Sequence, residues 1–233
     1  MPAQMTSDLF FVSIQATYQS LEIALFKNHT CVASVLRSDA RASSFLVPLL
    51  HDLLRANNLS LEQCAFMVVD AGPGAFTSLR VVIATINGIA FASTMPLITV
   101  SSFEGFVQQI KQERVLVVLN AYNNDVYFAY AEHGKIVLSG SGKYDTLPTL
   151  LAAFKTDACV TVTGNGLLTY PGLMPVVFQA FSNTEVVDSG VPLAESIGQV
   201  GLQKWQRGET VKKIEPLYLK TIMYDIQRPR GPK

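Results

Sequence analysis

A chain of 233 residues with zero formal net charge and 15% charged residues has too little excess Lys and Arg to bind nucleic acid by bulk electrostatics. Soluble proteins carry roughly 25% charged residues, so a chain this apolar, with mean hydropathy +0.28, is expected to cover some of its surface with a partner. The length suits two tightly joined lobes better than two independent domains.

The opening MPAQMTSDLFF lacks the basic start and long apolar run of a signal peptide, so a cytoplasmic location is expected. Residues 9–15 and 21–26 are short apolar runs joined by a turn and read as a hairpin, with 30–37 as a third strand. Residues 43–56 predict a helix in which Phe45, Leu46, Leu49, Leu50, Leu53 and Leu54 share a wide apolar stripe. That stripe is either a core face or a partner surface. Pro48 either marks the first helical turn, where its missing N–H costs little, or kinks the helix. A strand at 66–70 then runs into a sharp loop at Gly72, Pro73 and Gly74.

The helix predicted over 77–93 is unusual. Ala84, Gly88 and Ala92 recur every four residues and flatten one edge, flanked by Val81 and Thr85, and no charge appears between Arg80 and Glu104. Glycine inside a helix costs about 1 kcal/mol against alanine, so Gly88 implies the close approach of another element, in a partner or in this chain's own sheet. The uncharged stretch 81–98 is interrupted by Asn87 and broken by Pro96, which argues against a membrane span.

Beyond Pro96 the pattern restarts. Ser101 and Glu104 have capping-box spacing for a helix to about residue 111. A strand at 115–119, a hairpin of 125–131 with 135–138, a helix near 147–154, a strand at 159–163 and a helix over 193–207 follow. Three strands, helix, strand, helix thus occurs before residue 100 and roughly again after it, with no residue-level repeat. The expected architecture is an α/β fold with duplicated βββαβα lobes at 1–100 and 101–221, and 222–233 as a basic flexible tail. Lys212 and Lys213 read as solvated. Cys31, Cys64 and Cys159 are scattered without C-x-x-C spacing, which fits free thiols.

The run GPGAFTSLRVVIATINGIA followed by PLITVSSFE resembles the signature of the TsaB (YeaZ) family, with LVPLLHDLL at 46–54 and EPLYLK at 215–220 agreeing in the same order. The resemblance covers roughly residues 9–221. It implies a two-lobed actin-like ATPase fold (ASKHA, RNase H-like) and a non-catalytic subunit of the apparatus for tRNA N6-threonylcarbamoyladenosine. The implied partner is TsaD, with TsaE joining the complex, self-association through the same helices as an option, and tRNA touched only indirectly. Neither a cofactor nor a metal is expected, and no membrane contact. The implied partner surface takes Phe45, Leu46, Leu49, Leu50, Leu53, Val81, Ala84, Thr85, Gly88 and Ala92.

Active members of that superfamily hold a nucleotide and a metal between the lobes, and this chain departs from their pattern. Gln15 stands where the family shows Asp, and a neutral amide is a poor ligand for a divalent cation. The first turn, including Thr17, has no glycine, and Tyr18 and Gln19 would crowd a phosphate. In the second lobe Asn120 and Tyr122 replace charged positions. Gly72 and Gly74 make either an anion cradle or a tight turn, and Gly164 and Gly166 either an adenosine-side loop or a turn. These seven positions, Gln15, Thr17, Gly72, Gly74, Asn120, Gly164 and Gly166, form the expected degenerate nucleotide site, with no catalytic residue. The competing readings are an actin-like small-molecule kinase or ATPase, and an M22-type metallopeptidase. Against the latter, His29, His51 and His133 lie in three different elements, and Ala42 stands where the family shows His.

Overall fold

In the first half of the chain, β1 (Phe10–Gln15), β2 (Ser20–Lys27) and β3 (Thr30–Ser38) form an antiparallel meander. Beside β1, β4 (Cys64–Asp70) and β5 (Leu97–Val100) add in parallel. The second half repeats this with β6 (Arg114–Asn120), β7 (Asp125–Glu132), β8 (Lys135–Lys143), β9 (Val160–Thr163) and β10 (Thr184–Val187). The sheet orders, β3-β2-β1-β4-β5 and β8-β7-β6-β9-β10, are the same. The computed structural model describes residues 8–39 and 41–219. The tail expected at 222–233 lies outside the described residues.

Composition explains strand placement. β1 and β4 are almost continuously apolar and occupy the middle of the first sheet, buried on both faces. β3 alternates exposed and half-buried positions and takes the edge. Helices α1 (Leu46–Ala56) and α2 (Phe76–Ser93) cover one face of this sheet through Leu50, Leu54, Leu79, Val82 and Ile86. Pro48 falls in the first turn of α1, after a 3-10 turn at Ala42–Phe45, and does not kink it.

The other faces are covered by exchange. α3 (Ser102–Ile110) follows β5 but sets Phe103, Phe106 and Val107 against Val115, Val117 and Leu119 of the second sheet. The remaining helices are α4 (Leu147–Leu150), α5 (Gly166–Thr169), α6 (Leu173–Ala180) and α7 (Ala194–Gln206), and α4 and α6 cover the second sheet's far side. α7 crosses back and packs Ala194, Ile197 and Leu202 on Phe11, Phe66 and Val68 of the first sheet. A strap at 211–219 runs along the first lobe, where Val211 pairs with Leu97 and Ile214 is buried in the first core, and ends at the second lobe with Leu219. A division at residue 100 therefore separates the strands and leaves α3 with the second sheet, while α7 and the strap cross it.

One local expectation changes and two elements were not read from the sequence. The helix read at 147–154 is two short pieces, α4 and a 3-10 turn at Ala152–Phe154. α6 and β10 were not legible, because LMPVVFQA carries a proline in its first turn and TEVV is short and half exposed. The first turn of α3 does carry the expected capping box, with Ser101 and Glu104 each bonding the other's backbone N–H.

α7 approaches the sheet closely because it carries glycine there. A Cβ on Gly201 would stand 2.3 Å from Val68 Cγ1, and one on Gly198 2.3 Å from the Phe26 ring. Val68 is fully buried and β-branched, so it has little room to turn. Gly201→Ala is therefore expected to destabilise by about 1–3 kcal/mol despite alanine's better helix propensity. A thermal melt checks this: the transition should drop by several degrees, and an unchanged melt would mean that α7 can back away from the sheet.

Candidate functional site

The turns after β1 and β6, at 16–19 and 121–124, meet where the lobes join. Gln15 and Thr17 are fully buried, and the Gln15 amide donates to Thr17 Oγ1 while its carbonyl accepts from Ser20 at 3.3 Å. Thr17 sits on the Gly72–Gly74 loop, where a Cβ on Gly74 would lie 2.8 Å from it. Tyr18, in a left-handed conformation at φ 62, crosses to the other lobe. Its hydroxyl donates to the Asn120 carbonyl at 2.7 Å and its ring packs beside the second lobe's core. Burial, with Tyr122 and Tyr127 nearby, pushes the Tyr18 hydroxyl well above the usual phenol range, so it stays a donor.

Asn120 is equally committed. Its backbone N–H donates to Asn165 at 2.9 Å, and its side-chain oxygen accepts from Tyr122 N–H and Tyr170 hydroxyl, both at 2.7 Å. The glycines of the Gly164–Gly166 loop have a packing reason: a Cβ on either would come within 2.8 Å of the Val118 carbonyl. Of the seven residues expected at a degenerate nucleotide site, Gln15, Thr17 and Gly74 touch one another in turn, Asn120 is bonded by Tyr18 across the lobes, Gly72 packs by Leu79, and Gly164 and Gly166 pack on Val118. Side chains occupy the turns where a phosphate chain needs bare N–H groups. Sequence reasoning marked Tyr18 only as an obstruction and missed its bond across the lobes.

The expected partner surface divides. Leu79, Val82, Ile83, Ile86 and Ala90 of α2 face the core, while Val81, Ala84, Gly88 and Ala92 are exposed and Thr85 is half-buried. A Cβ on Gly88 would meet nothing within 4 Å, which overturns the alternative that it packs on this chain's own sheet. Phe91, not singled out from the sequence, is 89% exposed on the same face. On α1 the reading needs correction: Leu46, Leu50 and Leu53 are buried in the first lobe's core and do not present themselves to a partner. Phe45 lies half-buried with the Arg37 guanidinium 3.3 Å above its ring, and Leu49 is half-buried. Among the residues that α1 does expose, Val47 and His51 rim an apolar groove of about 770 Å3 floored by Leu50, Leu54 and Ile89. α2 is long and apolar enough to span a membrane by length and composition, yet its inner face is built into the lobe.

The loop leading into α2 is tied by a buried carboxylate. Asp70 accepts from Gly72 N–H at 2.8 Å and from the Ser102 hydroxyl at 2.8 and 2.9 Å, so it joins the start of α3 to the loop. Burial pushes its pKa up to about 7, against the pull of the Gly72 and Ser102 hydrogen bonds, with Glu104 adding to the rise. The folded state then holds a proton that the unfolded chain releases near pH 4, so this group favours folding fully at low pH and less as pH rises toward 7. Asp70→Asn keeps the shape and both bonds without the charge. It should be more stable than wild type at pH 8, with the gap closing as pH falls to 5. Chemical denaturation at both pH values checks this, and a gap independent of pH would refute it.

Among the described residues no three His, Cys, Asp or Glu side chains gather into a metal-binding group. A family model described as tRNA N6-adenosine threonylcarbamoyltransferase (TsaD) matches residues 38–177. The TsaB protein of Escherichia coli K12, named for tRNA threonylcarbamoyladenosine biosynthesis, is 24% identical over 90% of this chain and 94% of its own length. The crystal structure of a Pseudomonas aeruginosa protein described as similar to peptidase YeaZ superposes with a TM-score of 0.75 at 24% identity, over 91% of this chain and all of that one. An Aquifex aeolicus member of the Ppx/GppA family superposes with a TM-score of 0.52 at 9% identity, over 85% and 99% of the two chains, a likeness of fold alone. With two sheets of the same order and exchanged helices, the architecture is that of the two-lobed actin-like ATPases. The chain belongs to the TsaB (YeaZ) family, a branch of the TsaD-like proteins.

Proposed function

We propose that this protein is a non-catalytic, cytoplasmic scaffold in tRNA N6-threonylcarbamoyladenosine synthesis, and that it docks TsaD on the outer face of α2. The observation that carries the reading is that face itself: Val81, Ala84, Gly88, Phe91 and Ala92 stand exposed and uncharged on a helix whose opposite side is fully used. An exposed apolar stripe of this kind marks an interaction surface, and small residues let a partner helix approach closely. TsaE joins the assembled pair in this reading, and tRNA is reached through the complex.

The non-catalytic part rests on the junction of the lobes. Gln15 and Asn120 are neutral and spent on internal hydrogen bonds, and Tyr18 occupies the passage between them. An actin-like kinase or ATPase needs carboxylates at these strand ends. A metallopeptidase needs histidines brought together, whereas His51 pairs with Asp52 on α1 and His133 stands by Glu113 in the β7–β8 turn.

Gly88→Leu tests the docking face. With open space around it, the substitution should leave the melting temperature unchanged or slightly raised, since leucine is the better helix former. Binding to TsaD, measured by calorimetry, should weaken by roughly ten- to a hundredfold if a fitted contact is overpacked by about 1–3 kcal/mol. Normal binding by a folded variant would move the interface elsewhere, and a homodimer dissolved by the substitution would put a second copy there. The isolated protein should also show no magnesium-dependent ATP binding in the micromolar range. A Kd near 1 μM, about −8 kcal/mol, would restore the ATPase reading.

A further inference from the structure

The strap at 211–219 runs from the edge of the first sheet to the second lobe as irregular chain, and of its residues only Ile214 is buried. A stretch with so little apolar burial belongs to the low-stability end of a structure, where local opening is easiest. Point contacts hold it. Val211 and Leu97 exchange both backbone bonds, at 2.8 and 3.3 Å. Leu217 N–H donates to the Ala71 carbonyl at 2.9 Å, and the Tyr218 hydroxyl accepts from Arg80 Nε at 2.9 Å. At the far end the Leu219 carbonyl accepts from the Ser141 hydroxyl at 2.9 Å.

Ile214 is the pin. Its side chain belongs to the first lobe's core, its N–H donates to Asn87 Oδ1 at 2.8 Å, and its carbonyl accepts from Asn87 Nδ2 at 2.9 Å. One side chain of α2 thus does for Ile214 what a neighbouring strand does inside a sheet. Buried backbone groups need partners, so Ile214 can sit in the core only while Asn87 serves it. Asparagine is a poor helix former, and this service explains its place in the middle of an otherwise apolar helix.

The other end of the strap acts on the second lobe. Leu219 packs on the core of Phe103, Val115 and Val117, as Tyr18 does. The Ser141 bond to Leu219 therefore supplements the bond from Tyr18 to the Asn120 carbonyl. The two ties differ in how easily they let go, because Tyr18 sits in the turn between two buried strands and Leu219 at the end of an exposed strap. We propose that the strap is a releasable latch, which docks and lifts as one unit about the Asn87–Ile214 pin and so joins or unjoins α2 and the second lobe. Lifting it frees Arg80 from Tyr218 and bares the Ala71 carbonyl beside the Gly72 loop. The latch is a property of the isolated chain and stands apart from the docking reading.

Residue-resolved amide hydrogen exchange of the full-length protein tests this in wild type, Asn87→Ala and Ser141→Ala, with the fully buried Val68 and Val69 of β4 as references. Asn87→Ala takes both partners from Ile214, so the informative amide is Leu217, whose bond to Ala71 the substitution does not touch. Leu217 exchange should rise by at least about tenfold, while Val68 and Val69 keep their wild-type rates. Ser141→Ala cuts the opposite end from a half-buried position on an edge strand, where the fold tolerates it. It should raise Ile214 and Leu217 by one common factor, roughly two- to tenfold. A rise confined, in either variant, to the residue nearest the substitution would overturn the latch and leave independent contacts in its place. Equal acceleration of Val68 and Val69 would overturn it as well, since the strap would then open only with the whole lobe.

Discussion

Phe26, Phe11, Phe66 and Trp205 stack in a column with ring centroids 4.6, 4.5 and 4.4 Å apart, and Trp205 comes from the far end of the chain. Three of these rings lie on the first sheet and the fourth on α7, so the column fastens the last helix to the first lobe. Aromatic pairs add about 0.5–1.5 kcal/mol each beyond their buried area, and Gly198 and Gly201 let the helix come near enough to make them. Lys204 reinforces the attachment by bonding the Thr99 carbonyl at 2.9 Å and pairing with Glu104 of α3 at 2.7 Å. With α7 returned to the first lobe, the second face of the first sheet is covered only by a helix from the other half of the chain. The lobes are interdependent before any contact at the cleft is considered.

That interdependence shapes what the cleft can be. In a nucleotide-binding relative the strand-end turns must leave room and bare N–H groups for phosphates. Here Tyr18 bonds Asn120 across the lobes, Thr17 fills the space over Gly74, and the Gln15 and Asn120 amides satisfy neighbours in their own lobes. A buried amide with its bonds made is stable where it stands, and pulling it toward a ligand would leave those partners unsatisfied. Tyr18 thereby ties the lobes together at the junction, with the two amides spent within their own turns.

How much of this was legible depends on whether the deciding contact is local. The central strands read cleanly because apolar runs such as FMVVD and VLVVL have few alternatives, and Ser101 with Glu104 announced a cap that formed as spaced. The duplicated order of elements emerged from the same local patterns. The apolar stripe of α1 was misassigned because amphipathicity says that a face is covered but not by what, and Leu46, Leu50 and Leu53 cover this chain's own sheet. Gly88 was ambiguous for the same reason until the space around it was known. The return of α7 to the first lobe and the bond from Tyr18 to Asn120 span 181 and 102 residues in the cases of Ser13 with Ala194 and of the tyrosine, and no window of sequence reports such pairings.

The strap links these strands of reasoning. It leaves α7 at the edge of the first sheet, where Val211 pairs with Leu97, and crosses α2 at Asn87. From there it binds Ala71 beside the Gly72 loop and ends where the Leu219 carbonyl accepts from Ser141 of the second lobe at 2.9 Å. One segment therefore touches the sheet edge, α2, the loop that Asp70 ties and the opposite lobe. α2 is braced along its strap side by Asn87 and on the other by the 3-10 turn at Ala42–Phe45, so its outer face is ordered by this chain's own contacts. The strap that holds Asn87 of α2 is thus the same segment that ends on Ser141 of the second lobe, so the ordering of the α2 surface and the joining of the lobes rest on one piece of chain.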